Sequence, residues 1–225
     1  MIRDDGWTRN SIWEHSATVR DLYARRCRQE AEEMTCAAQA VRLLAPYAAP
    51  GDTVLDVGCG SGYFFHSLVR AGIRADYVGI DASPGLIAIG RQEMPAFGLP
   101  AERLRVLRID DLDGEADHVV CMNVLSNIDN YHRPLERLLK VGRKTLILRE
   151  SLADRASCLY VRDNYLDDGV DLRVHVNTYD KAEVLAFIRA AGWSPTVVED
   201  ERTNGKPEMI IGYPHHWTFI VAVRS

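Results

Sequence analysis

The sequence predicts an α/β fold, a mostly parallel sheet with helices on both faces. Two observations predict it. Between residues 53 and 148, short β-branched apolar runs alternate with stretches of helical periodicity, the β-α-β-α order that a parallel sheet needs. The first of those runs ends in a glycine-rich turn, where an open sheet of this kind binds its ligand. With 225 residues, the chain is long enough to hold a core without disulfides.

The elements follow in order. A helix is expected over residues 16–47, where Val19, Leu22, Tyr23, Met34, Val41 and Leu44 recur at helical spacing before Pro46 and Pro50-Gly51 stop it. Residues 53–57 read as a buried strand, and 63–71 as a helix closed by Gly72. Residues 77–81 form a second strand, after which Ser83 caps a helix with Pro84 at its first position. Strands are expected at 104–109, 118–122 and 145–148, with a helix at 134–141 before the last of them. The stretch 150–179 is rich in Asp, Asn and Arg and shows little periodicity, so it reads as a long ordered loop. Asp180 caps a helix ended by Gly192. Strands at 195–199 and 218–223 then pair to give the sheet an antiparallel edge.

Composition narrows the function. Acidic residues outnumber basic ones, 32 to 27, for a formal net charge of -5, which argues against a nucleic-acid partner. Five cysteines (Cys27, Cys36, Cys59, Cys121, Cys158) are scattered without a C-x-x-C pair, so neither a disulfide framework nor a metal site is expected. Residues 1–7 are polar and no run approaches the roughly 20 apolar residues of a membrane span. A cytoplasmic protein without a membrane partner is the expectation.

The strongest signal is Asp56-Val57-Gly58-Cys59-Gly60-Ser61-Gly62. Three alternate glycines let the backbone approach a ligand that a Cβ would push away. The spacing is neither the G-x-G-x-x-G of dinucleotide sites nor the lysine-bearing phosphate loop. Asp56, at the strand end, suits an ammonium group. Asp81, at the end of the next strand, suits the two hydroxyls of a ribose.

These residues, with Gly79-Ile80-Asp81-Ala82-Ser83, Ile109-Asp110-Asp111-Leu112 and Asp117-His118-Val119-Val120-Cys121-Met122-Asn123-Val124-Leu125, resemble the class I S-adenosylmethionine-dependent methyltransferases. The motifs stand in that family's order, and the resemblance covers residues 45–148. It implies a Rossmann-like seven-stranded sheet whose last strand is antiparallel, in one domain over residues 1–225. An N-terminal helical lid (1–47) and a substrate-lid insertion (150–179) would flank the core. The implied cofactor is S-adenosyl-L-methionine. Gly58, Cys59, Gly60 and Gly62 would run along its methionine and ribose, Asp56 would hold the ammonium end, Asp81 the ribose and Ala82 the adenine. Asp110 or Asp111 would meet the adenine amino group, and Asn123 would open into the active site. The signature of nucleobase amino-methylating members and the metal-binding acids of catechol-type members are both missing.

Methyl transfer needs a base only for a hydroxyl or a protonated amine, and His is the usual choice. His132 and His175 lie where substrates enter and are the expected catalytic residues. Tyr23, with Trp13 and Arg26, would fold over the site. Arg149, with Glu150 beside it, and Tyr160, Tyr165, Arg162 and Asn177 would bind the acceptor. The expected activity is methyl transfer to an O or N atom of a small-molecule acceptor: a metabolite, sugar derivative or natural-product intermediate. The rivals are a regulatory protein that binds S-adenosylmethionine without turnover and, less well matched by the glycine spacing, a nucleotide-dependent oxidoreductase.

Overall fold

In the computed structural model, which describes residues 9–224, β1 (Thr53–Val57) lies at the centre of the sheet. Residues Val54 to Val57 are all buried, and a strand without a wet face belongs between two neighbours. It pairs in parallel with β2 (Asp76–Asp81) and β4 (Ala116–Met122). β3 (Leu104–Val106) extends the sheet beyond β2, and β5 (Gly142–Ala153) beyond β4. β12 (Trp217–Arg224) runs antiparallel to β5 and to β9 (Trp193–Glu199), which ends the row. The order is β3-β2-β1-β4-β5-β12-β9, with β8 (Tyr179–Asp180) pairing beside the end of β5. The antiparallel strand, expected at the edge, stands one place inside it, because β12 enters the slot between β5 and β9. Residues 1–7 lie outside the described residues.

Helices cover both faces. On one, α3 (Thr35–Leu44), α4 (Phe64–Arg70) and α5 (Pro84–Glu93) bring Val41, Leu44, Phe64, Leu68 and Ile87 into a cluster with Val54, Val120 and Ile147. On the other, α6 (His132–Val141) and α7 (Lys181–Ala190) bring Leu135, Leu138 and Ile188 to Leu55, Val119 and Leu146. Alternate strand residues thus serve opposite layers. Ser83 caps α5 by accepting from the Leu86 amide, and Asp180 caps α7 by accepting from Glu183.

The single helix expected over 16–47 is broken in two. After α1 (Ile12–His15), α2 (Ala17–Cys27) ends where Gln29 takes φ 59°. The Glu30 amide bonds to the Arg25 carbonyl and the Gln29 amide to the Arg26 carbonyl, the two bonds of a Schellman cap. That cap normally carries Gly or Asn, so a glutamine there leaves no mark in the sequence.

The stretch 150–179 is likewise more regular than expected. β5 runs on to Ala153, and β6 (Tyr160–Asp163) pairs antiparallel with β7 (Leu172–His175). Leu172, Val174 and Val176 bury against Ile12 of α1. In the turn of this hairpin, Asp167 accepts from the Ser16 and Thr18 hydroxyls and the Thr18 amide. The hairpin is therefore held to α1 and α2. A smaller hairpin, β10 (Glu208–Ile210) with β11 (Tyr213–His215), precedes β12. Among the described residues, no helix is long and apolar enough to cross a membrane.

Close packing of α5 on the glycine turn yields a test. A Cβ on Gly90 would stand 2.3 Å from the Ser61 carbonyl oxygen and 2.6 Å from Leu104. Alanine is the better helix former by about 1 kcal/mol, yet here it should destabilise by about 1–3 kcal/mol, as overpacking does. Urea denaturation of Gly90→Ala should show a lower midpoint; an equal or higher one would mean that the turn yields freely.

Candidate functional site

A cavity of about 380 Å³ opens at the carboxyl ends of β1, β2 and β4. Its volume is in the range of sites that enclose a small organic molecule. Val57, Gly58, Asp81, Ala82, Met122 and Asn123 form its floor, Leu86, Leu107 and Ile109 one side. Trp13, Val19, Leu22, Tyr23 and Arg26 come from α1 and α2, and Tyr160, Arg173, Val174 and His175 from the β6–β7 hairpin. Four separate parts of the chain thus meet around one space.

Asp81 is the best-defined polar group in it. Its carboxylate accepts from the Gly60 amide at 2.8 Å and the Ser83 amide at 2.8 Å. Burial nevertheless raises its pKa to about 6, against the lowering effect of those bonds. Asp56 is buried behind the floor, where it accepts from the Tyr77 hydroxyl at 2.7 Å. Burial, reinforced by the neighbouring Asp81 charge, raises it to about 7. It borders a side chamber of about 20 Å³ that shares Gly58, Tyr63, Met122 and Asn123 with the main cavity. That is room for one water.

Each of the three glycines packs under a different part of the fold. Only Gly58 of the three lines the cavity, and a Cβ there would meet Val124 at 2.1 Å. Gly60 lies under the Tyr23 ring, at 2.1 Å from a would-be Cβ, and Gly62 under Leu104, at 2.6 Å. Cys59 faces Gly79 and the side chamber. All three glycines have positive φ, and at each the atom nearest a would-be Cβ belongs to another side chain of the protein. Arg26 stacks its guanidinium over the rings of Tyr23 and Tyr63, at 5.2 and 5.0 Å.

Several expected residues are placed elsewhere. His132 is exposed at the start of α6, stacked on Tyr131 at 4.0 Å, and is not part of the cavity wall. Asp110 and Asp111 sit on a 3₁₀ turn outside the wall, with Asp110 near Arg108 and Arg133; apolar Leu107 and Ile109 face inward instead. Tyr165 is 74% exposed. Asn177 is fully buried, where its side chain bonds the Ile128 carbonyl and the Leu159 amide. Arg149 is buried in an ion pair with Asp200 at 2.7 Å, stacked on Trp217 at 4.5 Å. It reaches the site only by donating to the Asn123 side chain.

Glu150, next to it, is buried and caps the turn after β4. One oxygen accepts from the Val124 and Leu125 amides, the other from the amide and hydroxyl of Ser126. Of the expected residues, the cavity wall unites Gly58, Asp81, Ala82, Asn123, Tyr23, Tyr160 and His175. His175 is half-buried, its ring 4.6 Å from that of Tyr160. Burial lowers its pKa, and the charge of Asp129 opposes that. Arg173 was missed; a period-two reading of 172–176, with Leu, Val and Val on one side, would have set it beside His175.

Comparison with known proteins agrees with this architecture. A methyltransferase-domain family model matches residues 55–145. The ubiquinone biosynthesis O-methyltransferase of Xanthomonas euvesicatoria pv. vesicatoria (strain 85-10) is 34% identical over 104 residues, 43% of this chain and 42% of that protein. The chain thus matches less than half the length of that curated relative. Magnesium protoporphyrin IX methyltransferase from Synechocystis PCC 6803, solved with bound S-adenosylhomocysteine, superposes with a TM-score of 0.60 at 19% identity, over 91% of this chain and 86% of that one. A S-adenosylmethionine-dependent methyltransferase from Clostridium acetobutylicum ATCC 824 gives 0.64 at 14% identity, over 91% and 97%. Residues 55–145 thus match a methyltransferase domain, and the fold is the one seen in these methyltransferase structures.

Proposed function

We propose that this protein transfers a methyl group from S-adenosylmethionine to an O or N atom of a small-molecule acceptor. The observation that carries the reading is that one cavity joins the Asp81–Ala82 end of β2 to the Tyr160, Arg173 and His175 face of the hairpin. The residues present fit the cofactor. Asp81 offers carboxylate oxygens to ribose hydroxyls, and Ala82, Leu107 and Ile109 make an apolar slot for a purine. Arg26 suits the methionyl carboxylate, while Asp56, through the side chamber, suits the ammonium. When bound, S-adenosylmethionine supplies an electrophilic methyl group on a sulfonium.

The chain's own residues then have three tasks. Tyr160 and Trp13 hold the acceptor, which fixes the angle of attack and contributes much of the rate. The lid formed by α1, α2 and the hairpin excludes water. His175, kept neutral near pH 7 by burial, takes the acceptor's proton. The small molecules in the names of similar proteins, ubiquinone and magnesium protoporphyrin IX, support a small-molecule acceptor. A screen of hydroxyl- and amine-bearing metabolites, read by release of S-adenosylhomocysteine, tests the activity. Tight cofactor binding with no acceptor turned over would favour a regulatory role.

Two further outcomes are expected. Asp81→Asn should weaken S-adenosylhomocysteine at least about tenfold, since charge-assisted bonds contribute about 1.5–3 kcal/mol each. In the unaltered protein, affinity should fall as pH drops from 7.5 through about 7 and 6, where Asp56 and then Asp81 take up protons. Stability of the free protein should run the other way. Folding raises both carboxyls above their unfolded value, so their contribution is complete at low pH and lost as pH rises through 6 and 7. Calorimetric titration and thermal melts across this range measure both; pH-independent affinity would remove the two acids from the site.

His175→Gln should lower kcat by about 10²–10⁴ and abolish an acid limb lying below the ordinary histidine value, with cofactor affinity unchanged. An unaltered pH–rate profile in the variant would exclude His175 as the base.

A further inference from the structure

The face of the β6–β7 hairpin that bears Tyr160 and His175 carries more positive charge than it neutralises. Its register sets Tyr160 opposite His175 and Arg162 opposite Arg173, so all four share one face. Like charges directly opposite on paired strands are destabilising, and this pair has a single carboxylate between them. Asp171 lies 3.4 Å from Arg162 Nε and 3.7 Å from Arg173 Nε. Arg162 is exposed and can share its charge with solvent. Arg173 borders the cavity, and its Nε is buried without a hydrogen-bond partner. The Arg173 side chain as a whole is 42% exposed and shares Asp171 with Arg162, so its guanidinium keeps charge to offer an anion in the cavity.

The rest of the wall gives that anion a place. Asp81, the wall's carboxylate, lies at the opposite, ribose end, held by Gly60 and Ser83. On the same hairpin as Arg173, Tyr160, Val174 and His175 also line the wall. A planar guanidinium beside tyrosine and histidine rings matches a flat molecule bearing a carboxylate or phosphate.

We propose that the methyl acceptor is an aromatic anion, bound by Arg173 through its carboxylate or phosphate with its ring against Tyr160. This rests on the methyltransferase reading above. It places the group to be methylated beside His175 and makes Arg173 a specificity determinant.

The test is calorimetric titration of benzoate, phenyl phosphate and benzamide into the protein loaded with S-adenosylhomocysteine. One or both anions should bind at least about tenfold more tightly than benzamide, and the tighter of them identifies the anionic group. Arg173→Gln should bring anion affinity down to that of benzamide while leaving S-adenosylhomocysteine affinity unchanged. Arg173→Lys, which keeps the charge but not the fork, should fall between, and thermal melts establish that both variants fold. Benzamide binding as tightly as the anions, or an anion preference that survives Arg173→Gln, would overturn the proposal. So would a parallel loss of S-adenosylhomocysteine, which would mean that Arg173 serves the cofactor. If S-adenosylhomocysteine fails to load the unaltered protein, the cofactor reading falls instead. The same titrations on the free protein then decide the anion site on their own.

Discussion

One buried carboxylate holds the working end of this molecule together. Glu150 accepts four hydrogen bonds from the turn that follows β4, and without them the Val124, Leu125 and Ser126 amides would be buried and unpaired. Its surroundings push its pKa up by desolvation while those donors pull it down. Two layers rest on the turn so fixed. The Ser126 carbonyl receives the Asn177 amide, which seats the end of the hairpin. The Ser126 hydroxyl also accepts from the Ser151 amide, locking the turn back onto β5. Arg149, one residue earlier on β5, serves the other face and braces Asn123, which at φ 60° sits in the left-handed region that asparagine takes more readily than other non-glycine residues.

This explains which parts of the protein were legible in its sequence. The central strands, the caps at Ser83 and Asp180, the glycine turn and the two strand-end acids follow from local patterns of period, turn chemistry and side-chain charge. Those patterns are written in neighbouring residues. Arg149 and Asn177 carry no local sign of burial, because their partners, Asp200 and Ile128, lie about 50 positions away. A polar residue reads as exposed until its distant partner is known. Asp110 and Asp111 stood where the family motif expects an acid, but the 3₁₀ turn presents Ile109 inward.

The glycines teach a related lesson. A glycine motif is commonly read as space for a ligand, yet these three also make space for Val124, Tyr23 and Leu104. The turn is thus shaped as much by the helices packed on it as by what it encloses. The break between α2 and α3 gives the chain a change of direction, with Tyr23 seated on Gly60 before it and Cys36 packed in the core after it. Because Gln29 rather than glycine makes that break, continuous helical periodicity hides it.

The clasp between Asp167 and the first turn of α2 ties the helix that roofs the Gly60–Asp81 end of the cavity to the hairpin that forms its Tyr160–His175 wall. Glu14 of α1 adds an anchor at the start of α5, accepting from Ser83 and Gly85. Neither wall can swing out without straining the other, so the two compartments share one door. On the proposed function, whatever occupies the cavity would exchange with solvent only when roof and wall move together, so the release of the demethylated cofactor would wait on both.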